Sequence, residues 1–183
     1  MINRRSPIVN NPQSKIRMSY FLRVFCQSPQ LVPSKEITDF IRDGWYFDEP
    51  PKFEVQPSAE AEDETHWKFI TVHYQTNKRP VRIELNVNNQ FLQQEIEETK
   101  EVIRKSGQLN QQQNLVEKLA ASKQVIAIEI DYLVLTDAAW EMLDCLEAYL
   151  AKKLSGIVYA PDDGFYDEAL QPIYKLETPV NVG

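Results

Sequence analysis

Glycine is scarce in this 183-residue chain, and the scarcity excludes several classes of enzyme. The five glycines are isolated from one another along the sequence: Gly44, Gly107, Gly156, Gly164 and Gly183. A phosphate-binding loop or a dinucleotide fingerprint needs clustered glycines, because the backbone must approach the phosphates closely. A serine-hydrolase elbow needs glycines on both sides of a strained serine. The sequence therefore predicts none of these sites.

Histidine and cysteine are also rare, with two of each in the chain. His66 and His73 bracket one predicted strand, and their odd spacing places them on opposite faces of a sheet. A metal or catalytic centre shared by the two histidines is therefore not expected. Cys26 and Cys145 each lie in an apolar stretch, which favours small buried side chains over a disulfide. We predict no metal and no cofactor.

Long hydrophobic runs and a signal peptide are both missing from the sequence. No apolar run approaches the roughly 20 residues that a membrane helix needs. No positively charged start is followed by the apolar region that is typical of a secretory signal. These absences predict a cytoplasmic protein without membrane contact.

Charge is unevenly distributed along the chain. Residues 1–35 hold six lysines or arginines and no acid, so the remaining chain has 14 bases and 27 acids. That remainder carries a net charge of −13, against −7 for the whole sequence. Because binding to a nucleic-acid backbone needs clustered positive charge, we predict no nucleic-acid partner. An acidic body suits a basic protein partner, since complementary charge speeds their encounter.

The two ends of the chain lack a hydrophobic period. Residues 1–17 are polar, contain Pro7 and Pro12, and are predicted to form a disordered basic leader, with Met18 as an alternative start. A second interpretation of the leader is a basic arm that grips nucleic acid or an acidic partner. Residues 18–177 are predicted to form a single domain, and residues 178–183 are predicted to form a frayed tail.

The clearest pattern runs over Gln124–Asp167 and predicts a strand, a helix and a second strand. Val125–Ile130 is a short apolar run with β-branched residues, as in a buried strand. Thr136 or the next residue is a suitable N-cap for a helix whose apolar positions recur at helical spacing. We expect Gly156 to end this helix as its C′ residue, before a strand over Ile157–Tyr159.

Upstream patterns supply the rest of the predicted fold. We expect a strand over Tyr20–Cys26, a helix capped by Ser34, a strand near Phe53–Gln56, a hairpin over Trp67–Val87, and two helices that start at Asn88 or Asn89 and near Asn110. The resulting order is β-α-β-β-β-α-α-β-α-β. We predict a two-layer α+β fold, in which a mixed, mostly antiparallel sheet has helices packed on one face.

Carboxylates gather around Gly164, at Asp162, Asp163, Asp167 and Glu168. Such a group could hold a hard cation through its oxygen atoms. However, the spacing lacks the alternating ligands of an EF-hand loop, and aspartate followed by glycine is a common pair in tight turns. The pattern therefore favours a turn over a cation site.

Aromatic and buried acidic residues provide the other candidates. Trp45, Tyr46 and Phe47 are adjacent, and they could form an exposed recognition patch or part of the core. Glu147 falls within the apolar arc of the last predicted helix, where a polar residue is unexpected. We expect it to pair with a base from the sheet or to lie at the edge of a cleft.

The last predicted helix and the strand after it share a pattern of core and turn positions: Trp140, Leu143, Leu146, Tyr149, Leu150, Ala151 and Gly156, followed by IVYAPDDGFYD. This pattern resembles the C-terminal part of small uncharacterised bacterial proteins, some of them immunity-protein-like. The resemblance covers about a quarter of the chain. It implies a cytoplasmic protein that acts by binding a partner, and it supplies no catalytic residues.

The leading hypothesis is therefore a non-catalytic bacterial protein that binds a protein partner, with a basic partner favoured, through an acidic surface. The residues expected at the binding surface are Trp45, Tyr46, Glu147, Asp162, Asp163, Phe165, Tyr166 and Asp167. The alternative hypothesis is a small enzyme with a carboxylate and aromatic site between Asp162–Glu168 and Trp45–Phe47. A homodimer formed along a hairpin edge or a wet sheet face is compatible with both.

Overall fold

The structure is a computed structural model that describes residues 19–59, 63–87, 89–106 and 112–176. The predicted leader over 1–17 and the predicted tail over 178–183 lie outside these ranges, as does Gly107. Among the helices within these ranges, none combines the length and the apolar character that crossing a membrane requires.

Strands and helices follow the predicted order, with a further hairpin at the C-terminal end. The elements are β1 (Tyr20–Cys26), α1 (Ser34–Asp43), β2 (Lys52–Pro57), β3 (Trp67–His73), β4 (Val81–Val87), α2 (Gln90–Lys105), α3 (Gln113–Ala120), β5 (Gln124–Ile130), α4 (Asp137–Leu154), β6 (Gly156–Ala160), β7 (Gly164–Tyr166) and β8 (Pro172–Lys175). The sequence did not predict β8, which is short and mostly exposed.

All eight strands belong to one sheet, in the order β2-β3-β4-β5-β1-β6-β7-β8. Every strand pair in this sheet is antiparallel, whereas a mixed sheet was expected. The difference arises because β1 lies between β5 and β6. These two strands run in the same direction, but each pairs with β1 and not with the other. The predicted α+β class is confirmed.

Helices cover both faces of the sheet, although the sequence predicted them on one face. The first face carries α1 and α4. Ile37 and Ile41 on α1 and Leu143 on α4 are buried in one core cluster with Val24 and Ile128 of the sheet. The second face carries α2 and α3. Because Phe25, Val125 and Ile157 also point to this second face, leaving it bare would expose apolar area.

Two of the predicted helix caps are confirmed. The Asn89 side chain accepts a hydrogen bond from the Leu92 backbone N–H at 2.9 Å, and the Thr136 Oγ1 atom accepts one from Ala139 at 3.2 Å. The predicted cap Ser34 is instead the first residue of α1, where the cap position is Pro33. Satisfying free backbone N–H groups in this way fixes where α2 and α4 begin.

The C-terminal end of α4 differs from the prediction by one residue. Ser155 adopts the left-handed conformation with φ 51°, and Gly156 is already the first residue of β6. Gly156 is needed for another reason: a Cβ atom there would lie 3.0 Å from Val24 Cγ1 and 3.1 Å from Ala151 Cα. A glycine therefore permits close approach of α4 and β1.

Candidate functional site

Several loops rich in aromatic residues meet at one end of the sheet, which we call the aromatic end. It comprises residues 44–51 before β2, the β3–β4 turn at 74–80 and the β5–α4 loop at 131–136. The pairing of Lys52 with His73, Val72 with Val81, and Tyr20 with Ile130 places these loops at the same end. The antiparallel strand order therefore brings together segments that are distant in sequence.

Aromatic rings fix the segment after α1 against the sheet. The ring centroids of Tyr46 and Phe47 are 6.3 Å apart, and those of Phe47 and Tyr74 are 5.5 Å apart. Tyr46 and Phe47 both pack against the core of the first face. Edge and tilted contacts between rings of this kind add stability beyond the burial of apolar area. These two residues therefore form the support beneath Trp45.

A second set of rings supports the β5–α4 loop. The ring of Tyr132 lies 5.6 Å from that of Tyr20 and 6.2 Å from that of Trp140, measured between centroids. The Tyr20 hydroxyl also donates to the backbone carbonyl of Pro161. Lys78 donates to the Val134 carbonyl at 3.1 Å and so connects the β3–β4 turn to this loop. The β5–α4 loop is therefore fixed by the ring contacts of Tyr132 and by the hydrogen bond from Lys78.

Large apolar side chains project from this supported end. Trp45 is 84% exposed, Leu133 is 78% exposed and Val134 is 41% exposed. Trp45 also has a φ of 53°, in the left-handed region that a bulky residue rarely adopts and that costs about 1–2 kcal/mol. Backbone strain persists only where the surrounding structure enforces it, and it is common at binding sites. The fold thus holds Trp45 outward.

Tyr46 makes the contact that orients Trp45. Its side chain reaches α4, where burial, a hydrogen bond with Cys145 and the charge of Glu141 raise the pKa of the Tyr46 hydroxyl. The same ring covers Gly44, so position 44 has no room for a larger residue unless the ring moves. With Tyr46 directed inward, its neighbour Trp45 points to solvent.

Acidic residues outnumber bases around the exposed side chains. The segments 43–49 and 131–144 together contain seven acids and no lysine or arginine: Asp43, Asp48, Glu49, Asp131, Asp137, Glu141 and Asp144. Two nearby arginines are paired with acids, Arg42 with Asp39 at 2.6 Å and Arg79 with Glu129 at 2.5 Å, while Lys78 contributes one positive charge beside Val134. The aromatic end is therefore apolar at its centre and negative at its rim.

The carboxylates around Gly164 build turns. Asp162 has a φ of 63° in the turn between β6 and β7, and Asp163 donates its backbone N–H to Ala160 at 3.2 Å. Asp167 Oδ1 accepts backbone N–H groups from Ala169 at 2.9 Å and from Gln171 at 2.8 Å. The Asp167 carboxylate is thus occupied in holding the loop that leads to β8.

Three other predicted site residues lie in the core. Phe165 is fully buried between the rings of Tyr159 and Tyr174, at centroid distances of 4.6 and 6.4 Å. Tyr166 and Glu147 are also buried, and they contribute to the first face of the sheet and to α4. These side chains are not available on the surface of the folded chain.

The strands next to the two segments of the enzyme hypothesis are far apart in the sheet. Trp45–Phe47 precedes β2, and Asp162–Glu168 includes β7, with five strands between β2 and β7. At about 4.8 Å per strand, β2 and β7 are about 30 Å apart. The hydrogen bond from Tyr20 to Pro161 nevertheless holds the turn before β7 at the same end of the sheet as Trp45, and the enzyme hypothesis stays a prediction.

A shallow depression of about 480 Å³ lies between α1 and α4. Its floor is the stacked pair Phe40 and Tyr149, whose centroids are 4.4 Å apart. Burial opposes ionisation of Glu36, but hydrogen bonds from Lys153, at 2.7 Å, and from Tyr149 outweigh it and lower the pKa of Glu36. Asp39 is likewise paired with Lys35 and Arg42. The Glu36–Lys153 pair joins the two helices, whereas the Asp39 pairs lie within α1.

Metal-ligating and nucleophilic residues are dispersed in the described part of the chain. No group of three or more histidine, cysteine, aspartate or glutamate side chains within these ranges is placed to hold a metal ion. Cys26 and Cys145 are both free thiols. His66 pairs with Asp63 and His73 pairs with Glu54, at separate positions in the fold.

Sequence reasoning named Trp45 and Tyr46 as candidates and did not name Leu133 and Val134. A detectable pattern was present, because the apolar run LVL stands between a strand and the Thr136 cap, where a polar loop is usual.

Comparison of the chain with models of protein families, with curated proteins and with solved structures found no match.

Proposed function

We propose that this chain is a non-catalytic binding protein that docks a protein partner at the aromatic end. The observation that carries the proposal is Trp45, which is 84% exposed although its backbone is strained. A single exposed apolar residue is ordinary on a protein surface. An exposed tryptophan that is oriented by packed neighbours is unusual, and tryptophan is enriched among the residues that dominate binding energy.

The proposed mode of action is occupation of the partner's surface, as an immunity protein or a regulator acts. A role without catalysis is supported by three carboxylates in the described residues. Glu36, Asp39 and Asp63 are each bonded to neighbouring groups and so have structural roles. We place the protein in the bacterial cytoplasm. The free thiols of Cys26 and Cys145 support a reducing compartment.

Affinity capture tests the proposal. The full chain is used as bait in a lysate of cells that naturally produce it, beside a Trp45→Ala variant and a Phe91→Ala variant. Phe91 is a matched control, since it is 65% exposed and lies at the start of α2, at the opposite end of the sheet. We expect the wild type and Phe91→Ala to retain one stoichiometric partner that Trp45→Ala loses.

Two results would contradict this function. One is a partner profile that is identical for the wild type and Trp45→Ala. The other is the absence of any stoichiometric partner for the wild type at low ionic strength. Circular dichroism of each variant confirms that a lost interaction does not reflect a lost fold.

A further inference from the structure

We infer that the segment recognised at the aromatic end is cationic: a polypeptide stretch that carries arginine or lysine beside an apolar side chain. This inference rests on the proposed function and adds the chemistry of the partner. Its basis is the composition of the surface itself, where segments 43–49 and 131–144 hold seven acids, while the turn at 74–80 adds only two bases, one of which, Arg79, is paired with Glu129. Such a rim attracts a positive partner and repels a negative one.

Trp45 provides the position for a cationic side chain. Tryptophan has the aromatic face that binds a guanidinium or ammonium group best. Asp43, Asp48 and Glu49 flank it in sequence, and all three are exposed. A charge-assisted hydrogen bond from a guanidinium to one of these carboxylates can form while the guanidinium lies on the indole ring.

Leu133 and Val134 provide the position for the neighbouring apolar side chain. Both are exposed, and the loop that carries them is fixed by the Lys78 hydrogen bond and by the Tyr132 ring contacts. Tyr132 contacts Trp140 on α4, one residue before Glu141, whose charge acts on Tyr46. Tyr46 and Tyr132, which are adjacent in sequence to the two positions, therefore both approach the same turn of α4.

A second copy of this chain is a poor occupant of the same surface. Two copies that met through their aromatic ends would place like-charged rims opposite each other, which is unfavourable. A nucleic acid is unsuitable for the same electrostatic reason. The acidic rim thus selects for a basic polypeptide.

Titration with defined peptides tests this inference. The first peptide alternates arginine and leucine, the second replaces each arginine with neutral citrulline, and the third replaces each arginine with glutamate. Binding to the full chain is followed by calorimetry and by tryptophan fluorescence. We expect only the arginine peptide to bind, and its affinity to fall by about tenfold when ionic strength rises from about 0.05 M to about 0.5 M.

Two variants locate the binding, each with a control. Trp45→Ala should weaken the arginine peptide by at least about tenfold, whereas Phe91→Ala should not. The triple variant Asp43→Asn, Asp48→Asn and Glu49→Gln should weaken it similarly and reduce its salt dependence.

The charge control carries the same change in net charge on the other side of the molecule. It combines Glu97→Gln, Glu98→Gln and Glu117→Gln, which are exposed positions on α2 and α3. We expect it to bind the arginine peptide as the wild type does.

The outcomes distinguish this inference from the proposed function. Equal binding of the arginine and citrulline peptides, no binding of either, or unchanged affinity of the triple variant would overturn the cationic partner. If Trp45→Ala still loses the captured protein in that case, docking at Trp45 stands and only its chemistry is wrong. Sedimentation that shows a dimer dissociated by Trp45→Ala would identify a second copy as the occupant and overturn the inference.

Discussion

The ring of Tyr46 lies directly over Gly44, so that a Cβ atom on residue 44 would be 2.1 Å from Tyr46 Cε2. Gly44 has a φ of −74°, which any residue can adopt, so its requirement is space and not backbone freedom. This contact turns Tyr46 toward α4 and leaves Trp45 facing solvent. The presentation of Trp45 therefore depends on a glycine that the sequence assigned only to a helix end.

Replacing Gly44 with alanine should displace Tyr46. Because the obstructing atoms belong to a side chain, we expect the ring to move away, at a cost of about 1 kcal/mol in the free energy of unfolding. Cys145, which contributes to the raised pKa of Tyr46, should then react faster with a thiol reagent. Cys26 is the internal control, since burial raises the pKa of its thiol and keeps it unreactive. Unchanged reactivity of Cys145 would contradict the proposed contact.

Replacing Trp45 tests whether its backbone is strained. A left-handed φ is costly for alanine and free for glycine, so Trp45→Gly should be more stable than Trp45→Ala by about 1 kcal/mol. Both variants remove a side chain that buries little area, so both should remain folded. Urea denaturation measures the difference. If Trp45→Ala is the more stable of the two, the left-handed conformation is not imposed by the fold.

Asp63 should make stability depend on acid pH. Hydrogen bonds from the Thr65 side chain, the Thr65 backbone and His66 lower its pKa from 3.8 to about 2. A carboxyl group with a lowered pKa stabilises the fold above its unfolded pKa, and this contribution is lost as pH falls through the folded value. We expect the stability difference between the wild type and Asp63→Asn to be at its full value well above pH 3.8 and to shrink as pH falls through that value toward pH 2. A difference that grows on acidification would be inconsistent with these bonds.

Ser155 offers a stabilising substitution. It ends α4 in the left-handed region with φ 51°, where glycine is the preferred residue. Ser155→Gly should raise the free energy of unfolding by about 0.5–1 kcal/mol. Ser155→Ala serves as the control, because alanine has the same steric conflict as serine and should give no gain. Equal stability of the glycine and alanine variants in urea would refute this assignment.

Local patterns predicted most of the secondary structure. The apolar run at Val125–Ile130 became β5, and Asn89 and Thr136 became N-caps, because capping and periodicity depend on residues within about one turn of each other. The predicted end of α4 was wrong by one residue, because Ser155 adopts the left-handed conformation that glycine would adopt without strain. Gly156 lies one residue further on, in β6, where its close packing against Val24 leaves no room for a side chain.

The sequence by itself determined the order of strands and helices up to β6, the acidic body and the presence of an aromatic triplet at Trp45–Phe47. Only the tertiary structure decided that β1 separates β5 from β6, that helices cover both faces, and that Trp45 points outward while Phe165 is buried. The physical reason is range. Helix spacing and caps act over a few residues, whereas strand neighbours and the direction of Trp45 depend on contacts such as Tyr46 with Cys145, about a hundred positions apart.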